Sequence, residues 1–193
     1  MPISLAKGGD TSLTKEAGAA GRSAVTVGLG WQARTTDGAA FDLDASAIVC
    51  GPGGRARQDR DFVFYGNLVS ADGTVRHLGD ELTGEAAGDD EQVRVALGAL
   101  PADVESVVFS ASIHEATERG QSFGQVRKAF IRVVNDADGS ELARFDLSED
   151  ASTEAAMVFG ELYRAGSDWK VRAVGQGYQA GLRGIALEYG LNV

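Results

Sequence analysis

The order of apolar and polar residues along the chain indicates strands rather than helices. Short runs that are rich in β-branched residues, or that alternate between apolar and polar residues, recur between turns made of Gly, Asp and Asn. The candidate strands are residues 24–33, 41–50, 61–69, 92–97, 104–113, 127–135, 141–147, 156–164 and 168–175. Asp72-Gly73 and Asp138-Gly139 supply the residues that tight hairpin turns favour. We therefore expect an all-β fold, an antiparallel β-sandwich of about nine or ten strands.

The C-terminal residues depart from this β pattern. Tyr178, Leu182, Ile185 and Tyr189 follow one another at spacings of four, three and four, which place them on one face of a helix. We expect a short helix here that covers the sandwich, with other short helices at its periphery. Because no Pro- or Ser-rich linker and no change of composition divides the chain, the sequence predicts a single domain over residues 1–193.

Composition and charge narrow the functional classes. The chain has 193 residues, 44% of them hydrophobic, and a formal net charge of −10 from 18 Lys and Arg against 28 Asp and Glu. Nucleic acids and anionic membrane surfaces are bound by clustered basic residues, so this charge argues against both partners. The sequence has no secretory leader pattern and no uninterrupted apolar stretch of about 18 residues. We expect a cytoplasmic protein without direct membrane insertion, whose small partners are cations.

Cys50 is the only cysteine of the chain, so it has no internal disulfide partner. It follows the apolar residues Ala47, Ile48 and Val49, and no basic residue stands beside it to activate the thiol. We expect a buried, unreactive thiol in a reducing compartment.

The segment of residues 79–91, GDELTGEAAGDDE, is the most acidic part of the chain, and we call it the acidic segment. Six of its twelve residues from position 80 to 91 are acids, and none is Lys or Arg. Gly79, Gly84 and Gly88 allow the backbone to fold back, so that several carboxylates and carbonyls can converge. A divalent cation would offset the repulsion among the acids, and oxygen ligands suit Ca²⁺ better than Mg²⁺ or Zn²⁺. A solvated acidic loop is the alternative interpretation.

Two further pairs of polar residues fit a cation site. Asp42 and Asp44 are two residues apart on a predicted strand, so both carboxylates point to one face, where like charges are costly without a cation between them. Asp61 and Asn67 stand at the ends of DFVFYGN and offer further oxygen ligands, although each is also compatible with a turn. The pattern is not that of an EF-hand, because the run that starts at Asp136 has its glycine at position 4 instead of position 6.

Several long blocks of the sequence resemble the TerD family of tellurium-resistance and stress-response proteins, in the same order and over nearly the whole chain. These blocks are GLGWQAR (28–34), FDLDASA (41–47), DFVFYGN (61–67), the acidic segment, QSFGQVRKAFIRVVN (121–135), DLSEDASTEAAMVFGELYR (146–164) and WKVRAVGQGY (169–178). The acidic segment is similar to a family signature GDNRTGEGDGDDE, but Glu81 replaces an amide and Ala87 replaces an Asp. The resemblance implies a calcium-binding β-sandwich of the bacterial cytoplasm, encoded with other tellurite-resistance proteins.

The acidic residues and the resemblance together define a set of candidate calcium ligands. They are Asp42, Asp44, Asp61, Asn67, Asp80, Glu85, Asp89, Asp90 and Glu91. One Ca²⁺ takes about six to eight oxygens, some of them from carbonyls or water, so nine side chains suggest two neighbouring ions or several residues that only support the ligands. We hypothesise that calcium orders the acidic segment and so creates a surface for other tellurite-resistance proteins. The protein would then be a non-enzymatic sensor or scaffold. A membrane-embedded partner, which would hold it at the inner membrane, is left open.

Two enzymatic interpretations and one binding interpretation compete with this one. Gly120-Gln121-Ser122-Phe123-Gly124 fits the G-x-S-x-G motif of α/β-hydrolases, but His77 and His114 both precede the serine, which is the wrong order for that fold. A carboxylate-based hydrolase needs an acid and a base with separated pKa values, for which the sequence gives no reason. A calcium-dependent carbohydrate-binding module would use similar ligands and remains an alternative.

Overall fold

Twelve strands form two six-stranded sheets in the described residues of the computed structural model, which are 2–14, 23–33, 38–79, 88–147 and 153–192. The strands are β1 (Ile3–Ser4), β2 (Asp10–Ser12), β3 (Val25–Gln32), β4 (Leu43–Cys50), β5 (Phe62–Val63), β6 (Val75–His77), β7 (Glu91–Val95), β8 (Ser106–Ile113), β9 (Arg127–Asn135), β10 (Glu141–Asp146), β11 (Ala156–Ala165) and β12 (Asp168–Tyr178). The helices are α1 (Ala116–Arg119) and α2 (Gly181–Glu188), with 3-10 turns at Asp59–Asp61, Leu97–Ala99 and Phe123–Gln125.

The two sheets have the same number of strands and are mostly antiparallel. The first sheet has the order β1-β10-β9-β3-β7-β6, and the second has the order β2-β12-β11-β8-β4-β5. Only β1 and β10 pair in parallel among the described strands. The predicted all-β, antiparallel sandwich is therefore confirmed.

Side chains that alternate along the strands fill the space between the sheets. In β3, the buried residues Val27, Leu29 and Trp31 point inward, and Val107 and Phe109 of β8 point toward them from the second sheet. This alternation is the pattern that predicted the strands, because successive side chains of a strand lie on opposite faces.

The C-terminal helix α2 covers the outer face of the second sheet, as predicted. Ile185 and Ala186 of α2 are fully buried against Ile48, Cys50 and Val108. Burying a side chain of the size of Ile185 contributes about 2 kcal/mol. Cys50 lies in this second core, as predicted, and burial raises the pKa of its thiol to about 12.

The predicted strand at residues 61–69 is wrong in most of its length. Within this run, only the two residues of β5 pair with β4. The chain then turns back on itself through two backbone hydrogen bonds between Phe64 and Asn67, of 3.0 and 2.9 Å. Gly66 permits this turn, because a Cβ at that position would lie 2.6 Å from the ring of Phe64. The alternation of DFVFYGN suggested a longer strand than the turn allows. The sequence also gave no signal for β1, β2 and β6, which are too short to show a period.

β4 connects two chemically different ends of the sandwich. Its first residues lie beside the end of β8, since Leu43 pairs with Ile113, and beside the start of β7, which Ala45 contacts. The acidic segment joins β6 to β7 at this end. We define the acidic end as residues 41–44, 77–79, 88–91 and 113–115. The opposite end of β4 lies beside the segment that carries Arg57, since Cys50 pairs with Ala56.

Candidate metal centre

Asp44 is in β4, and Asp42 lies just before this strand begins, so both enter the acidic end from the same segment. Phe41 and Leu43 are buried in the core between the sheets, so the two carboxylates alternate with them and face the other way, as the spacing predicted. Asp44 is only 6% exposed and lies opposite Ser112 of β8. A carboxylate buried to this degree must be hydrogen-bonded or paired with a cation.

A histidine at the end of β8 lies next to these carboxylates. His114 Nδ1 is 3.8 Å from Asp44 Oδ2, and the His114 N–H donates a 2.8 Å hydrogen bond to the carbonyl of Asp42. The next residue, Glu115, has a φ of 51°, in the left-handed region that residues other than Gly seldom adopt. Such backbone strain persists only where the surroundings enforce it. The chain is thus held in a specific turn beside Asp44.

Asp89 points away from the core, onto the outer face of the first sheet. Arg132 donates to both of its carboxylate oxygens, at 2.7 and 3.2 Å, and Gln92 donates to one of them at 3.1 Å. Gly28 leaves room for this carboxylate, since a Cβ there would lie 2.2 Å from Asp89 Cγ. The hydrogen bonds with Asp89 raise the pKa of Arg132. Asp89 therefore fixes the end of the acidic segment to β9.

Asp90 closes the end of β3. Its backbone N–H donates to the carbonyl of Leu29, and its Oδ2 accepts a hydrogen bond from the N–H of Trp31, both at 2.9 Å. The carboxylate thus satisfies a backbone group of the neighbouring strand, as a side-chain cap does.

Glu91 points into the sandwich and reaches the second sheet. It is 1% exposed, and its Oε2 accepts a 2.5 Å hydrogen bond from the N–H of Ala45. β5 begins to pair with β4 only two residues beyond Ala45, so the carboxylate takes the place of a neighbouring strand. Glu91 Oε2 also lies 3.2 Å from Nε2 of His77, whose Nδ1 accepts a hydrogen bond from the N–H of Gly79 at 3.3 Å. We assign the His77 proton to Nε2 from this network, so that His77 donates to Glu91.

Asp61 and Asn67 are separated from Asp44 by the length of β4. Asp61 is fully buried at the far end of the strand. It is about 16 Å from Asp44, which is the length of five residues of extended chain. Its Oδ2 accepts from Arg57 Nε at 2.8 Å, and its Oδ1 accepts from a backbone N–H. Asn67 uses its amide group to donate to the carbonyls of Phe62 and Arg60, at 2.6 and 3.2 Å. Asp61 and Asn67 therefore lie at the opposite end of β4 from Asp44, and their role as calcium ligands stays a prediction.

The structure gathers part of the candidate set and distributes the rest. Asp42, Asp44, Asp89, Asp90 and Glu91 lie at the acidic end, whereas Asp80 and Glu85 lie outside the described residues. Within the described residues, no three His, Cys, Asp or Glu side chains are arranged to hold a metal ion by themselves. A complete cation site at this end would need donors from the acidic segment as well.

Sequence reasoning missed the protein partners of these acids. Arg132 is 43 residues from Asp89, so no local signal links those two residues. Arg57 is only four residues before Asp61, and that spacing is a local signal that sequence reasoning did not use. The inward direction of Glu91 could have been predicted from the sequence. Glu91 is spaced by two and four residues from Val93 and Val95, which are buried, so all three side chains point to the same face of the strand. The predicted strand began one residue too late to include it.

The fold and the site define a class of protein, the antiparallel β-sandwich with carboxylates collected at one end. The family model described as TerD domain matches residues 1–189. The chain is 55% identical to Tellurium resistance protein TerD of Serratia marcescens, over 100% of this chain and 99% of the relative. It is 48% identical to General stress protein 16U of Bacillus subtilis (strain 168), over 100% of both chains. The chain therefore belongs to the TerD family.

Solved structures show the same fold. The crystal structure of a homologue of telluride resistance protein (TerD) from Streptomyces coelicolor A3(2) superposes with a TM-score of 0.69, over 85% of this chain and 95% of that chain, at 23% identity. No helix in the described part of this chain is long and apolar enough to span a membrane.

Proposed function

We propose that this protein binds calcium at the acidic end and acts without catalysis, as a sensor or scaffold in the tellurite-resistance and stress response. The observation that carries the proposal is the position of Asp42 and Asp44, which lie at the same end of the sandwich as both ends of the acidic segment. The names of its relatives, which refer to tellurium resistance and general stress, support the physiological setting.

The donor groups at this end suit a hard cation. Asp42 and Asp44 offer carboxylate oxygens on one side of β4, and Asp44 is largely withdrawn from water. Carboxylates, carbonyls and water are the ligands that Ca²⁺ prefers, and its flexible coordination tolerates donors from separate loops. When bound, calcium would supply the positive charge that allows these carboxylates to lie close together.

The contacts narrow the proposed ligand set. Asp42, Asp44 and Asp90 are proposed as ligands together with Asp80 and Glu85, whereas the remaining four candidates are proposed to support the fold through their protein partners. The four are Asp61, Asn67, Asp89 and Glu91. Five carboxylates suffice for one Ca²⁺ whose other ligands are carbonyls or water, so we propose one ion at this end instead of two.

A non-enzymatic role agrees with the context of the G-x-S-x-G sequence. Gly120 ends α1, and Ser122 precedes a 3-10 turn that leads into the antiparallel strand β9. A nucleophile elbow instead requires a strand, a sharp turn and a helix in a parallel sheet.

In the proposed role, calcium binding changes the surface of the protein at the acidic end. Other tellurite-resistance proteins would recognise this surface in the cytoplasm, and a membrane-embedded partner would hold the protein at the inner membrane.

Calcium titration of chelator-treated protein tests the proposed site. Isothermal titration with CaCl₂ and, separately, MgCl₂ should show selective calcium binding with one ion per chain. Asp44→Asn should weaken calcium binding by at least about tenfold, which corresponds to about 1.4 kcal/mol. Asp103→Asn is the matched control, because Asp103 is an exposed aspartate at the opposite end of the sandwich, and it should bind calcium like the wild type.

The same titration can contradict the proposal. If calcium binds no more tightly than magnesium, or if both variants behave alike, the acidic end is a solvated surface. Binding of a sugar array only in the presence of calcium, with Asp44 required, would instead support the carbohydrate-binding alternative. Capture of other tellurite-resistance proteins from membrane and soluble fractions, with calcium and with chelator, then tests the scaffold role.

A further inference from the structure

We propose that Glu91 is a positioning residue that couples the acidic segment to β4, and that it acts through the Ala45 N–H and not as a calcium ligand. The proposal rests on the proposed calcium site, because its function is to hold Asp44 in place for that site. The geometry that leads to it is the hydrogen bond from Ala45 N to Glu91 Oε2, which joins the first sheet to the second.

The contact crosses from one sheet to the other at Ala45, where β4 pairs with β8 on one side and, among the described residues, has no strand on the other. Glu91 starts β7 in the first sheet, and Ala45 follows Asp44 in the second. Without the carboxylate, the buried N–H of Ala45 would lose its hydrogen-bond partner, and an unsatisfied buried donor destabilises the fold. The backbone that carries Asp44 is thus held in place by a residue of the acidic segment.

Both ends of the acidic segment meet at the same carboxylate. His77 precedes the segment and donates to Glu91 Oε2, while the N–H of Gly79 donates to the His77 ring. Glu91 is the last residue of the segment. A shift at either end of the segment is therefore transmitted to Ala45, and through it to the strand that carries Asp42 and Asp44.

The direction of Glu91 distinguishes positioning from ligation. The side chain is almost fully buried in the sandwich, and Oε2 is shared by two protein donors, Ala45 N and His77 Nε2. Asp44, in contrast, alternates with the core residue Leu43 and faces the other side of β4. Residues that orient metal ligands in this way typically change metal affinity by about 10–100-fold when they are replaced.

Two substitutions at position 91 separate the two roles. Glu91→Gln keeps the length and an oxygen acceptor for the Ala45 N–H but removes the charge, whereas Glu91→Asp keeps the charge but is one methylene too short. If Glu91 is a positioning residue, Glu91→Gln should bind calcium within about threefold of the wild type, and Glu91→Asp should lose about tenfold or more. If Glu91 is a ligand, the glutamine variant should lose at least as much affinity as the aspartate variant, and the proposal is wrong.

Amide hydrogen exchange of Ala45 supplies a readout that can be taken in the wild type, without relying on the folding of any variant. In the wild type the Ala45 N–H should be protected without calcium, and calcium should slow its exchange further. In Glu91→Gln the protection should remain, and in Glu91→Asp it should fall. Rapid exchange of the Ala45 N–H in the wild type, or protection that calcium leaves unchanged, would overturn the coupling.

Failure of the proposed function can be told apart from failure of this inference. If the wild type does not bind calcium, the calcium site is wrong. If the wild type binds calcium and Asp44→Asn weakens binding, but both Glu91 variants bind normally, only the coupling through Ala45 is wrong.

Discussion

The two ends of β4 collect acidic side chains in different ways. At the far end, Arg57 alone pairs with Asp61, Asp72 and Asp103, at 2.8, 2.6 and 3.2 Å. We call this cluster the arginine end. Asp61 and Asp72 raise the pKa of Arg57 through hydrogen bonds and charge, against the opposing effect of its burial. The positive charge that gathers these acids is a permanent part of the chain.

The acidic end has no such shared arginine among its described residues. Arg132 pairs with Asp89 on the outer face, and His114 lies 3.8 Å from Asp44, while Asp90 and Glu91 accept hydrogen bonds from backbone groups of other strands. Like charges can be brought together either by a built-in cation or by a bound one. The arginine end illustrates the first solution, and we propose the second for the acidic end.

Removal of the built-in cation should have the largest effect on stability. Arg57→Met leaves the fully buried Asp61 carboxylate without its ion pair, which should lower the free energy of unfolding by about 3–5 kcal/mol. In a chain of this size that corresponds to a fall in Tm of about 10 °C. Thermal unfolding measures it, with Arg60→Met, an exposed neighbour, as the control. Calcium affinity should be unchanged, and a large loss of affinity would show that the two ends are not independent.

Removal of a carboxylate at the acidic end should weaken calcium binding and leave the stability of the calcium-free protein unchanged. Calcium at about 100 times its Kd should stabilise the wild type by about 2.7 kcal/mol, and Asp44→Asn should abolish most of this gain. Without calcium, the variant should be as stable as the wild type, because a buried carboxylate has been replaced by a neutral amide. Unfolding in urea, with calcium and with chelator, separates the stabilisation by calcium from the stability of the calcium-free protein. Equal loss of stability in both conditions would make Asp44 a structural residue.

The stability that Asp72 contributes at the arginine end should depend on pH. Burial opposes ionisation of Asp72, but hydrogen bonds from Thr74, Arg57 and Ser70 outweigh it and lower its pKa from 3.8 to about 2. Since the folded pKa is the lower one, the ionised carboxylate stabilises the fold above about pH 4, and this contribution is lost as the pH falls toward 2. Asp72→Asn should therefore cost about 2 kcal/mol at pH 7.

The difference between Asp72→Asn and the wild type should shrink as the pH is lowered. Urea unfolding at pH 7, 4 and 2.5 measures it, with the exposed Asp59→Asn as a control that should show no such trend. A difference that stays constant down to pH 2.5 would mean that the charge of Asp72 does not contribute.

The smallest effect is expected from Gly28→Ala. The new Cβ would displace the Asp89 carboxylate from its position against Gly28 and weaken its pairing with Arg132, at a cost of about 1 kcal/mol. Calcium affinity should stay within about threefold of the wild type, because Asp89 faces the outer side of the first sheet. Thr26→Ser, on the same strand, is the control for stability, because serine keeps the hydroxyl that donates to Asp136 Oδ1. A strong loss of calcium binding in Gly28→Ala would return Asp89 to the proposed ligands.

Several features of the fold could be predicted from the sequence because they depend on local alternation. The run at 127–135 is a strand with those bounds, and the apolar spacing of Leu182 and Ile185 correctly predicts a helix against the sheet. Tyr178, which the spacing also predicts on this helical face, instead ends β12. The burial of Cys50 follows equally from its apolar neighbours. These predictions succeed because burial of one face imposes a period that the sequence must show.

Contacts between distant segments decided the rest. The sequence shows which residues carry acidic groups, and it shows that Asp42 and Asp44 share one face of a strand, because that spacing is local. It does not show that Asp89, Asp90 and Glu91 bind three different elements. Those outcomes depend on which strands become neighbours and in which register. The partners of a charged side chain are therefore determined by the tertiary structure, whereas its presence on a given face is determined by the sequence.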